Sequence, residues 1–127
     1  MSKIFIHEIT QPNLVGVESE FLRADLMAIT QRNPKLLVID GSKVQMIDST
    51  CLGIIILVSR MFNDKSRISL AGVDGLVKKV YHLTQMGQII SLYSSVEDAL
   101  ASFSAELNQD GSSVPIYTRS TSKVLAN

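Results

Sequence analysis

With 127 residues, the chain has room for one domain around one hydrophobic core rather than two. Twelve basic and twelve acidic side chains cancel to a formal net charge of zero, which argues against a basic nucleic-acid stripe and an acidic solvating tail. The longest unbroken apolar run, residues 52–58, is far shorter than the roughly 20 residues that insert across a bilayer, and no signal-peptide-like run opens the sequence.

In chain order, KIFIHEI (residues 3–9) alternates, with Ile4 and Ile6 on one side and Phe5, His7 and Ile9 on the other, predicting a strand. TQPN supplies turn residues, and LVGV is expected to form a short second strand in a hairpin with the first. From Glu18 the period changes. Phe21, Leu22, Leu26 and Ile29 recur at helical spacing, and RNP closes that helix because Pro34 disfavours helical geometry at Asn33. KLLVID (residues 35–40) is an apolar run without alternation, the pattern of a buried central or parallel strand.

An apolar helix is expected to follow, to about Asn63, and then a strand in SRISLAG that ends at Gly72. VDGLVKKVYHLTQ reads as a helix, with Val73, Leu76, Val77, Val80 and Leu83 at steps of three and four. QIISLYS is a short strand. SVEDALASFSAEL is a helix opened by Ser95 as N-cap with acidic side chains in its first turn. The alternation of strands and helices from Leu36 onward predicts an α/β domain with mainly parallel connections over residues 1–107. Residues 108–127, rich in Ser, Thr, Asn and Gly, are expected to form a flexible tail, with VPIYT the part placed to dock on a sheet edge.

Most site chemistries find no support in the sequence. His7 and His82 lie on different elements without ligand partners at metal-binding spacing, so no metal site is expected. The lone Cys51 excludes an internal disulfide and fits a reducing, cytoplasmic setting. Two readings of it stand open: a small buried packing residue, or an accessible thiol with thiolate character near a helix N-terminus. Ser49 follows a strand and precedes a helix, but Ile47 and Cys51 occupy the positions where a nucleophile elbow needs glycine. Neither glycine-rich phosphate-binding motif occurs, so no nucleotide or other cofactor is expected.

What remains is MIDSTCLGIII, where Asp48, Ser49 and Thr50 sit between two apolar runs. Short polar residues at such a junction cap helices, and they are also sites of modification. No charge occurs between Asp48 and Arg60, and residues 54–58 are apolar all round the helix. Leu52, Ile55, Ile56 and Phe62 are expected to pack on the sheet. Ile54, Leu57 and Met61 would then lie on or near the outer face, either under neighbouring helices or as a docking surface. A phosphoryl group on a hydroxyl here would add about −1.5 to −2 charges. The helix N-terminus would tolerate that charge, whereas a partner resting against it would not. From the residues alone, plain capping is the simpler account.

Taken as a set, LLVIDGSKVQMIDSTCLGIIILVSRMF, ISLAGVDGLVKKVYHLTQM and IISLYSSVEDALASF resemble the STAS domain and, within it, the bacterial anti-sigma factor antagonists. The most specific piece is Asp48-Ser49-Thr50-x-Leu52-Gly53 after a strand, similar to the D-S-[ST]-G-L-G of that family. The resemblance covers residues 36–103, while residues 3–30 match in element order. It implies a STAS fold, a mixed β-sheet of about five strands with about four helices packed largely on one face. It also implies a non-enzymatic role in partner switching. The unphosphorylated domain would bind an anti-sigma factor or related regulator with GHKL-type serine kinase activity. Phosphorylation at Ser49 would release it, and a serine phosphatase would restore it.

Carried over by position, Ser49 is the phosphoacceptor, Thr50 the secondary candidate and Asp48 the acid that shapes the site and caps the helix. Asp48, Ser49, Thr50, Ile54, Leu57 and Met61 form the partner-binding set, and ATP belongs to the kinase. The alternative is a non-phosphorylated STAS subunit of a transport complex bound to an ATPase. Two departures stand out: Cys51 replaces a family glycine, and VGVESEF replaces the usual Gly-x-[LI]-[DT] segment.

Overall fold

The computed structural model describes residues 4–107 and 117–121, with the side chains of 105–107 left aside. Its strands are β1 (Ile4–Glu8), β2 (Asn13–Leu14), β3 (Leu36–Asp40), β4 (Met46–Ile47), β5 (Ile68–Ala71), β6 (Ser91–Tyr93) and β7 (Tyr117–Thr121). Its helices are α1 (Glu18–Thr30), α2 (Ser49–Arg60), α3 (Gly75–Leu83) and α4 (Val96–Leu107). Five strands form the main sheet in the order β6-β5-β3-β1-β7. Every pairing in it is parallel, for instance Ile4 opposite Leu36 and Glu8 opposite Asp40.

The alternation along β1 sorts its side chains onto two faces, as period-2 geometry requires. Phe5 and Ile9 join Leu37, Ile39, Ile68 and Leu70 beneath α1, α2 and α3. Ile4 and Ile6 join Leu36, Val38 and Ala71 on the opposite face, covered by Val96, Ala99, Leu100 and Phe103 of α4. β3 lies at the centre with apolar layers on both sides, which is why LLVI shows no alternation. The four helices are thus divided three to one between the faces. α4 opens as its sequence indicates, with the Asp98 amide donating to Ser95 Oγ at 3.1 Å.

Several expectations change. β2 forms no hairpin with β1. It pairs in parallel with β4 in a separate small sheet, Asn13 opposite Met46 and Leu14 opposite Ile47. The reason is that both edges of β1 are already taken, by β3 and by β7. The main sheet is wholly parallel among the described residues, where the resemblance implied a mixed one. On α3, Leu76 and Leu83 face solvent, and Leu83 is 77% exposed. Val77 is buried as expected, and Tyr81 joins it in the core in place of the leucines, its hydroxyl donating to the Ile90 carbonyl at 2.6 Å.

Tyr117–Thr121, expected within a flexible tail, form the edge strand β7, and Tyr117 and Thr118 of the VPIYT segment dock on the sheet edge as anticipated. Four of the five residues are exposed, so apolar burial does little to place them. The backbone ladder to β1 does, helped by Ser120 Oγ at 2.8 Å from His7 Nδ1 and by Arg119 at 3.9 Å from Asp40. Val114, Pro115 and Ile116, and the other residues assigned to that tail, lie outside the described residues.

Candidate functional site

Two local choices build the site around residues 46–61. β4 ends against β2, and the chain turns at Asp48, whose extended backbone (φ −94°, ψ 173°) fits a helix N-cap. Asp48 Oδ1 accepts from the Cys51 amide at 2.9 Å, satisfying one of the unpaired donors of the first turn of α2. Oδ2 accepts from the Gly16 amide at 2.8 Å. Gly16 has φ +60°, a left-handed conformation that favours glycine. One carboxylate therefore caps α2 and pins the loop before α1. The amides of Cys51 and then Gly16 hold its pKa below the ordinary aspartate value of 3.8.

Ser49 and Thr50 are the first two residues of α2 and both are exposed. No hydrogen bond holds either hydroxyl among the described residues. Capping thus falls to Asp48, and the two hydroxyls are left to solvent. Cys51 is fully buried. Burial first, then the hydrogen bond and charge of Asp48, push its thiol up to about 12. The packing reading of Cys51 is the one the structure supports, and the thiolate reading fails.

The STAS domain family profile matches residues 3–99, from the beginning of β1 into α4. The chain belongs to the STAS domain family. No curated protein matches it.

In this STAS domain α2 presents one stripe to solvent. Ser49, Gly53, Leu57 and Met61, spaced four residues apart, all lie on it; Leu57 is 43% and Met61 46% exposed. Cys51, Ile55 and Val58 face the core. Leu52, Ile56 and Phe62 are half-buried, packed against the same cluster. Ile54, assigned by the sequence to the outer face, is also half-buried against that core, so its role is shared.

Sequence reasoning missed the neighbours of this stripe. The Gly16–Asp48 bond sets Val15 and Val17 beside the start of α2, and Val17 is 66% exposed. Phe21 on α1 and Met46 on β4 are exposed as well. The available signal was the adjacent pair Phe21-Leu22, since helix geometry lets only one of two neighbours point directly inward. Leu22 is the one that does.

Gly53 adds a further oddity. A Cβ built there meets nothing within 4 Å, and its backbone is ordinary helix. A mid-helix glycine costs about 1 kcal/mol relative to alanine, and no contact among the described residues requires it.

The other candidates disperse. His7 is buried in β1, with Nε2 3.5 Å from Asp25, whereas His82 is exposed on α3 with its ring edge-on to Tyr81. Among the described residues no cluster of His, Cys, Asp and Glu is arranged to hold a metal. No helix among them is long and apolar enough to cross a membrane.

Proposed function

We propose that this STAS domain is a cytoplasmic partner-switching regulator of the anti-sigma factor antagonist type. The observation that carries the reading is the division of labour at the start of α2. Asp48 does the capping, and Ser49 is left with an exposed hydroxyl at the head of an exposed apolar stripe. The partner is an anti-sigma factor or related regulator with GHKL-type serine kinase activity. It docks on Ser49, Thr50, Gly53, Leu57 and Met61, flanked by Ile54 and Val17.

Phosphorylation of Ser49, or secondarily of Thr50, would add about −1.5 to −2 charges beside the Asp48 carboxylate. Glu18 at the start of α1 is close enough to act on Cys51 in the first turn of α2, and that turn holds no basic residue. A docked partner would bury that charge unless it supplied cations. An uncompensated buried charge costs several kcal/mol, and each ~1.4 kcal/mol is tenfold in affinity. Within the domain, the free amides of α2 accommodate the phosphate, so the fold survives while the partner leaves. A serine phosphatase resets the switch.

Intact-mass and fragmentation mass spectrometry of the protein from its own cells tests this. One phosphate on Ser49, absent in Ser49→Ala and varying between growth and stress, is the expected result. Absence of phosphate in every condition overturns the switch and leaves a constitutive binder, such as a STAS subunit held against a transport ATPase.

A further inference from the structure

β7 extends the sheet one strand beyond β1, and none of its described side chains joins either core cluster. A groove of about 360 Å3 remains between β7 and α1, far from Ser49 in the chain and on other elements. Its floor is two rungs of the β1–β7 ladder, Phe5 opposite Thr118 and His7 opposite Ser120. Its wall is the face of α1 that carries Ala28, Ile29 and Arg32.

The two ends of the groove differ in chemistry. At one end the Arg32 guanidinium sits 4.9 Å from the Phe5 ring centroid. Among the described residues no carboxylate pairs with it. A guanidinium presents a planar fork of donors that matches a carboxylate. At the other end Ser120 Oγ lies 2.8 Å from His7 Nδ1, and the far side of that imidazole faces Asp25 Oδ2 at 3.5 Å. Asp25 places a carboxylate at this end, which disfavours a second anion there. A hydroxyl both donates and accepts, so Ser120 suits a neutral polar group. Between the ends the exposed small side chains of Ala24 and Ala28 make the wall apolar, with buried Phe5 and Ile29 behind them and Thr118 on the floor.

The geometry points to a binding site for a small monocarboxylate whose apolar body carries a neutral hydrogen-bonding group about 7 Å from the acid, the length of two residues along a strand. Its carboxylate meets Arg32, its body rests against Ala24 and Ala28, and its polar end meets Ser120. Such a ligand touches α1 and β7 together, so binding would hold the edge strand on the sheet and raise stability by mass action. This site does not depend on the partner-switching reading.

The test is a titration of the full chain with para-hydroxybenzoate, followed by heteronuclear NMR and thermal melting. Saturable shifts at the amides of Phe5, Ala28, Arg32 and Ser120 and a raised Tm are expected. Arg32→Gln should weaken binding about tenfold, the loss of one charge-assisted hydrogen bond. Ala28→Leu, at an exposed position, should fill the groove and abolish binding while the protein stays folded. para-Hydroxybenzyl alcohol, which lacks the carboxylate, should not bind. No saturable shift at millimolar ligand, shifts confined to other regions, undiminished binding in Arg32→Gln, or equal binding of the alcohol would each overturn the proposal.

Discussion

Asp48 and Gly16 lie 32 positions apart in the chain and are joined by a hydrogen bond of 2.8 Å. The same carboxylate caps α2 through the Cys51 amide. The loop before α1 and the start of α2 are therefore positioned by one side chain, and the exposed apolar residues on both sides of Ser49 share a common anchor.

Replacing that anchor should loosen both elements. Asp48→Ala should lower Tm and raise hydrogen exchange at the Gly16 and Cys51 amides together. Asp48→Asn should retain part of the cap, since its side-chain oxygen still accepts. The pKa of Asp48 is depressed in the folded state, so its contribution is fully present above the unfolded value of 3.8. It is lost as pH falls below that value and through the folded one. Acid titrations of wild type and Asp48→Asn should therefore differ by a constant amount at neutral pH and converge only at the acid end.

Cys51 should be inert while the protein is folded. Its thiol is fully buried and pushed up to about 12, so almost no thiolate exists near pH 8. Alkylation by iodoacetamide should be negligible in native buffer and should become rapid in denaturant. Rapid labelling of the native protein would show that the start of α2 opens readily.

The two sides of α2 should respond oppositely to substitution. Leu57→Glu and Met61→Glu change exposed positions and should shift stability by no more than about 0.5 kcal/mol. Ile55→Ala, in the buried cluster, should cost about 2–5 kcal/mol by thermal or urea unfolding. Partner capture should fail in the first pair. A severe loss of stability in Leu57→Glu would show that this stripe belongs to the core.

Gly53→Ala should stabilise the domain by about 1 kcal/mol, because the added methyl meets no neighbour and the backbone is helical. Gly53→Leu should fold equally well yet weaken partner binding if the partner's backbone approaches α2 at that point. Calorimetry of the two variants beside a binding assay separates the two effects.

Much of the fold was legible because its signals are local. The apolar run of LLVID marks a strand covered on both faces, and β3 is that strand. Ser95 marks the start of α4, and its hydroxyl makes the expected contact with the Asp98 amide. The helical spacing of Leu22, Leu26 and Ile29 marks the inner face of α1. At the site, the polar triplet Asp48-Ser49-Thr50 and the uncharged helix behind it were visible as a pattern. Spacing alone left the division of roles within the triplet open; the family resemblance gave Asp48 the cap, and the structure places it there.

The sequence by itself determined the four helices and the strands β1, β3, β5 and β6, and most of the side chains they turn to the core, because alternation and helical period depend only on neighbours along the chain. Tertiary structure alone decided which strand edges meet. It set β7 against β1, β2 against β4, and the carboxylate of Asp48 against Gly16. Backbone hydrogen-bonding edges are the same for every residue but proline, so side-chain pattern cannot name their partners. Exposure of the α2 stripe was settled in the same way, by where α1 and α3 came to rest.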